Sequence, residues 1–156
     1  MITEFFGLSN TGKSVLKKEL EKKGYAVSKP EKISKTIKFL LFIKHLILNP
    51  LRTCYLFKKL NSNRIQITIS PEKRALIRKM RNSYLVGVLS KYEYLKNKKE
   101  NVFTDEFSFQ SLFMILQKKS NENEIKKILK SLPKSDDLFL FEGKKEWRHK
   151  AYQKKH

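Results

Sequence analysis

Apolar positions along the chain change period several times, and each change marks an element. Ile2 to Phe6 (ITEFF) is a short apolar run that stops at Gly7, the pattern of a buried strand. Over 13–23 (KSVLKKELEKK) Val15, Leu16 and Leu20 share one helical face, and Gly24 stands where a helix-ending glycine belongs. Tyr25 to Ser28 predicts a second strand, closed by Lys29-Pro30. Residues 33–48 predict an apolar helix punctuated by Lys35, Lys38 and Lys44. Asn49-Pro50 ends that helix, because the residue before proline resists helical torsions. Residues 51–60 predict another helix, and Asn61-Ser62-Asn63 a turn. Ile65, Ile67 and Ile69 alternate with polar residues in a short strand pattern.

Ser70-Pro71-Glu72 combines an N-cap serine, a proline at the first helical position and an acidic first turn. The helix it opens is predicted to run to about Lys96, with Ile77, Met80, Tyr84, Val88, Tyr92 and Leu95 on one stripe. Arg74, Arg78 and Arg81 form a second stripe. Asn101 to Glu106 (NVFTDE) predicts a strand ending in two carboxylates. Residues 107–118 and 122–132 predict helices, Pro133 to Asp136 a turn, and Asp137 to Phe141 (DLFLF) a strand.

Strands therefore alternate with helices, and helices crowd between the second and third strands. That order predicts an α/β fold: three α/β/α layers around a parallel sheet of four or five strands, covered on both faces. The 156 residues suit a single domain over 1–156, with 33–99 a basic helical insertion and 142–156 a short lid-like end. No internal repeat is apparent.

Charge sharpens this picture. The formal net charge is +20, and 33–99 carries +14 of it, from 16 Lys/Arg against two acidic residues. Such a field draws in anions. Only six of the 35 basic residues are arginine, whereas nucleic-acid sites favour the arginine fork. Nucleic acid is therefore not expected as the main partner. The single cysteine, Cys54, excludes an internal disulfide framework and a multi-cysteine zinc site. The three scattered histidines, His45, His149 and His156, argue against a histidine metal site. The first residues show neither a basic n-region nor a long apolar run, so a cytoplasmic location is the expectation. Ile37 to Leu48 is too short and too charged to span a bilayer. It reads either as a buried helix of the insertion or as a helix lying at a membrane surface, which puts possible membrane contact within 33–60.

Gly7-Leu8-Ser9-Asn10-Thr11-Gly12-Lys13-Ser14 matches G-x-x-x-x-G-K-[ST] at every fixed position, between a predicted strand and a predicted helix. The chain has only five glycines, and two fall here. The chemistry needs them. Gly7 and Gly12 let the backbone curl so that its N–H groups converge on phosphate. The helix opening at Lys13 adds its positive end. Lys13 is expected to bridge the β- and γ-phosphates, and the Ser14 hydroxyl to ligate Mg²⁺. Residues 7–14 thus predict binding of a nucleoside triphosphate. The metal also requires a carboxylate at a neighbouring strand end. Asp105 is preferred and Glu142, closing DLFLFE, is the alternative. Glu106 would orient or deprotonate an acceptor hydroxyl. Asn97-Lys98-Lys99-Glu100 is a poor match to the guanine-reading N-K-x-D, since it follows a helix and ends in glutamate.

The whole order resembles the thymidylate kinase-like branch of P-loop kinases. The opening ITEFFGL followed by GKS is of a type common in that branch, and Asp105-Glu106-Phe107-Ser108-Phe109-Gln110 is similar to the D-E-G-x-x-Q stretch of small kinase-like proteins, some found with surface-polysaccharide synthesis genes. The resemblance spans nearly the whole chain and is specific only in 7–14. It implies a P-loop kinase-like fold with the first strand between the third and fourth, in the order 2-3-1-4-5. It implies ATP and Mg²⁺ at Gly7 to Ser14 and Asp105, and Gln110 facing the acceptor. Arg148 would act as a lid arginine on transferring charge, and Arg74, Arg78 and Arg81 would contact an anionic acceptor. A solvated helix face accounts for that arginine stripe equally. The chain departs from thymidylate kinases in lacking their D-R-(Y/H), in carrying Phe107 where a small residue is usual, in a lid with one arginine, and in showing no fifth strand after Phe141.

The resulting expectation is transfer of the γ-phosphoryl group from ATP to a small anionic acceptor, a nucleotide or a phosphorylated sugar or lipid. The alternatives are a nucleotide-binding accessory protein without phosphoryl transfer, and a basic peripheral membrane or nucleic-acid binder.

Overall fold

A computed structural model of the chain describes residues 1–7, 12–27, 33–62, 70–105, 111, 115–116 and 121–141. The elements are β1 (Ile2–Gly7), α1 (Lys13–Lys22), β2 (Ala26–Val27), α2 (Lys35–Leu48), α3 (Pro50–Ser62), α4 (Pro71–Lys96), β3 (Val102–Asp105), α5 (Glu122–Ser131) and β4 (Asp137–Phe141). The predicted strand at 65–69 and most of the helix predicted over 107–118 lie outside the described residues.

The element boundaries follow local chemistry. α1 ends in paired backbone bonds: Gly24 N–H donates to Glu21 and Tyr25 N–H to Leu20, which satisfies carbonyls the last turn would otherwise leave open. Ser34 caps α2 by accepting from Ile37 N–H, Ser70 caps α4 by accepting from Lys73 N–H at 3.4 Å, and Asn121 caps α5 by accepting from Glu124 N–H at 2.9 Å. Asn49 breaks the chain between α2 and α3, and Pro50 opens α3 as the proline signal required. Two expectations shift. Asn61 and Ser62 close the last turn of α3 rather than forming a turn. β2 is only two residues long.

The four strands form one all-parallel sheet in the order β2-β3-β1-β4. Ile2 pairs with Val102 and Phe5 with Asp105 on one side of β1, while Thr3 pairs with Asp137 and Gly7 with Phe141 on the other. β1 is buried from Ile2 to Phe5, as a central strand should be. Phe5 stacks on Phe103 at 5.6 Å and meets Phe139 and Phe141 edge-on at 6.2 and 5.4 Å, so four phenylalanines share one face. Among the described residues β4 is left uncovered on both faces. Leu138, Phe139 and Leu140 are all exposed, and successive strand residues point to opposite faces. α1 differs too: Val15 and Leu16 share a face as predicted, yet both are exposed and no α1 residue is buried.

The chain divides into two compact units. The first comprises Met1–Lys29, Leu95–Phe107 and Ser135–His156, and holds the sheet and α1. The second comprises Pro30–Tyr94 and Ser108–Lys134, so it combines most of the predicted insertion with the segment before β4. Its core is Leu56, Leu60, Leu85, Leu89, Ile115, Ile128 and Leu132, joined by Phe42 and Phe57. Spacings of three and four bring Thr53, Leu56 and Leu60 to one face of α3. In α4 the predicted stripe is buried or half-buried from Tyr84 onward and half-buried at Ile77, with a gap at Met80. Met80 is exposed, and of residues 71–80 only Ile77 is half-buried.

Lys59 of α3 donates to Glu124 Oε1 of α5 at 2.6 Å. That hydrogen bond, with the carboxylate's charge, holds the Lys59 ammonium above its ordinary pKa of 10.5 against a smaller opposing effect of burial. A raised folded value means the pair stabilises the protein fully below about pH 10.5, and its contribution disappears as pH rises through the raised value. Lys59→Met is expected to cost about 0.2–1 kcal/mol at neutral pH, because the lysine is one-third exposed. Urea unfolding of both proteins at pH 7 and at strongly alkaline pH checks this: the gap should narrow in the alkaline range.

Candidate functional site

β1 delivers the chain to Gly7, and α1 carries it away from Gly12, so the ends of the glycine-rich motif sit on regular elements. Gly7 has φ +154°, and a Cβ placed there would lie 2.6 Å from the Phe141 carbonyl oxygen and 2.9 Å from Phe141 Cβ. Both the torsion and the close approach of β4 require glycine. Gly12 has φ +91° with open space around it, so there the backbone alone requires glycine.

Gly12 occupies the N-cap of α1 and offers no side chain to it. Its carbonyl accepts from Val15 and Leu16 N–H at 3.0 and 3.1 Å. The first turn contains Lys13 and Ser14 and no acidic residue. A helix start normally attracts a side-chain oxygen or a carboxylate. Here Gly12 has no side chain to cap with and the first turn has no acidic residue, and a lysine opens the helix. The Lys13 Nζ folds back to the end of β1 and donates to the Gly7 carbonyl at 2.6 Å. The lysine side chain therefore ties the start of α1 to the end of β1. Ser14, in the same first turn, is exposed. The donor set of this helix start is cationic and hydroxylic, the chemistry that suits an anion accompanied by a hard metal ion.

The strand order places β3 and β4, the strands that lead to the two candidate carboxylates, on either side of β1. β3, ending at Asp105, is its neighbour on one side, with Asp105 paired to Phe5, two residues before Gly7. β4 is its neighbour on the other, with Phe141 level with Gly7 and Glu142 next in the chain. Leu8, Ser9, Asn10, Thr11, Glu106, Gln110, Glu142 and Arg148 lie outside the described residues. Arg74, Arg78 and Arg81 belong to the second unit, where Arg74 and Arg78 are exposed and Arg81 is half-buried. Among the described residues no group of three or more His, Cys, Asp or Glu is placed to hold a metal ion, and no helix is long and apolar enough to cross a membrane.

Some polar residues that matter to the frame escaped the sequence reading. Asp136 anchors the entry to β4: its Oδ2 accepts from Ile2 N–H at 2.6 Å, and its own N–H donates to the Ile2 carbonyl at 2.8 Å. Glu4 is buried in β1, with the Ser135 hydroxyl 3.5 Å from its Oε2. In the second unit His45 and Glu93 are both buried and meet at 2.7 Å, and the Lys44 ammonium lies 3.7 Å from the other Glu93 oxygen. A glutamate inside an apolar strand was a visible signal for Glu4. The His45–Glu93 pair joins residues 48 positions apart and left no local trace.

No family model, curated protein or solved structure matches the chain.

Proposed function

We propose that the protein is a P-loop, kinase-like nucleotide-binding protein that holds ATP with Mg²⁺ at residues 7–14 and passes the γ-phosphoryl group to a small anionic acceptor. One observation carries the reading: the G-x-x-x-x-G-K-S motif joins the end of a central parallel strand to a helix start, and its lysine returns to the first glycine. The order β2-β3-β1-β4 supports it, being the order the kinase resemblance implies for four strands.

The roles follow from the groups present. Backbone N–H groups of the motif and the start of α1 orient the phosphates. Lys13 neutralises charge on the bridging and terminal phosphates, exchanging its bond to the Gly7 carbonyl for phosphate oxygens. Ser14 supplies a hydroxyl to the metal, and Asp105 or Glu142 its carboxylate. The bound metal supplies charge neutralisation at the transferring group. Glu106 and Arg148 complete the proposal as acceptor-orienting carboxylate and lid cation.

A coupled assay of ADP release with a panel of nucleoside monophosphates and phosphorylated sugars tests the transfer. Acceptor-dependent turnover that Lys13→Ala lowers by about 100-fold or more is expected. Saturable nucleotide binding with no turnover on any acceptor would instead assign an accessory role to the same site.

A further inference from the structure

α2 is apolar on more than one face, and among the described residues only one of them is packed inside the second unit. On the inner face His45 is buried against Glu93, the Ser90 hydroxyl donates to the Lys38 carbonyl at 2.8 Å, and Phe42 meets Phe57 edge-on at 6.0 Å. These contacts fix how α2 is rotated. Away from these contacts stand Ile37, Leu40 and Ile47, with Leu48 beside them, while Lys44 on the flank reaches Glu93 at 3.7 Å. All four aliphatic residues are exposed, Ile47 at 72 %. The chain then turns at Asn49, and α3 opens with Leu51 exposed at 85 %. A helix packed on one side ordinarily shows a polar face to water. This corner shows aliphatic side chains.

The charge carried by α2 and α3 themselves has one sign; the carboxylates that meet them, Glu93 at Lys44 and Glu124 at Lys59, belong to α4 and α5. Between residues 33 and 71 the chain contains no aspartate or glutamate and seven lysines or arginines. Lys35 is exposed in the first turn of α2, and Arg52 is exposed next to Leu51. Lys58 is exposed two turns on, over the same face of α3 as Leu51. A surface with aliphatic tips and a cationic rim complements an apolar layer beneath anionic groups. Lysine and arginine suit that boundary, since their stems accompany the apolar contact while their charged ends stay at the polar level. Nucleic acid fits less well, because its outer surface offers phosphates and sugars to five aliphatic side chains, and Arg52 is the sole arginine of α2 and α3. With 14 residues α2 is about 21 Å long, short of the roughly 20 residues a span requires, so contact would be along the surface.

We propose that the α2–α3 corner, through Ile37, Leu40, Ile47, Leu48 and Leu51, docks the second unit on an anionic phospholipid surface, with Lys35, Arg52 and Lys58 at the headgroup level. Two attractions then act together: burial of the aliphatic tips, which salt leaves intact, and attraction to anionic lipid, which salt screens.

The test is co-sedimentation of the full chain with phosphatidylcholine vesicles, with and without phosphatidylserine. Binding to the phosphatidylserine vesicles is expected, weaker by at least tenfold on phosphatidylcholine alone and reduced by salt. The double variant Ile47→Asp/Leu51→Asp should lose at least tenfold in affinity with its circular dichroism and urea midpoint unchanged, because both side chains are exposed. Lys73→Gln/Lys79→Gln removes the same two units of charge on α4, and should lose much less. The proposal is overturned if the chain ignores both vesicle types, or if both variants lose binding equally, since overall charge would then be the cause. It is also overturned if Ile47→Asp/Leu51→Asp binds like the wild type. The same holds if that variant instead converts a dimer to monomer in sedimentation velocity, or abolishes single-stranded nucleic-acid binding, while vesicles remain unbound by the wild type.

Discussion

Lys13→Ala is expected to weaken binding of Mg·ATP by about 10- to 100-fold. A hydrogen bond between charged groups contributes about 1.5–3 kcal/mol, and each 1.4 kcal/mol is about tenfold in affinity. The side chain is already placed for the task, since its Nζ sits at the end of β1 on the Gly7 carbonyl. Removing that charged donor from the Gly7 carbonyl costs the free protein about 1.5–3 kcal/mol, so circular dichroism of the variant accompanies the titration and shows that the apo fold persists. Anisotropy of a fluorescent ATP analogue, titrated with wild type and variant, gives the ratio. Equal affinities would remove Lys13 from the site.

Gly7→Ala is expected to destabilise the protein by about 2–4 kcal/mol, from a strained torsion and an overpacked contact acting together. For a chain of this size that lowers the melting temperature by about 5–15 °C. The contact is with the backbone oxygen and Cβ of Phe141, which cannot rotate away as a side-chain tip could. Relief requires β4 to separate from β1 at the rung where Gly7 and Phe141 pair. Gly12→Ala meets no neighbouring atom and loses only its positive φ, so it should cost about 1 kcal/mol, less than Gly7→Ala. Differential scanning calorimetry of the two variants checks the order. A smaller loss at Gly7 than at Gly12 would contradict the packing argument.

Legibility in the sequence tracked the range of the interaction that decides each feature. Cap and breaker chemistry is local, so Gly24, Asn49-Pro50 and Ser70-Pro71 marked helix ends that the structure keeps. The strands at 102–105 and 137–141 were readable from short β-rich runs, and β4 matches its predicted bounds. Burial was less legible because it depends on partners remote in the chain. Periodicity identified the faces of α1 and of the start of α4, yet Val15, Leu16 and Met80 are exposed. For α2, apolar all round, no period could say which face packs. Its rotation is settled by His45, Glu93 and Ser90, and the last two belong to α4. At the site, the motif announced its glycines, lysine and serine, but the contact that makes Gly7 irreplaceable comes from Phe141, 134 residues later.

Calorimetric titration of the full chain with Mg·ATP, and separately with Mg·GTP, tests the central claim most directly. A saturable, one-site heat with at least one of the two nucleotides, absent without triphosphate, is the predicted result. A flat trace with both at millimolar concentration would contradict the assignment of residues 7–14 as a phosphate-binding site.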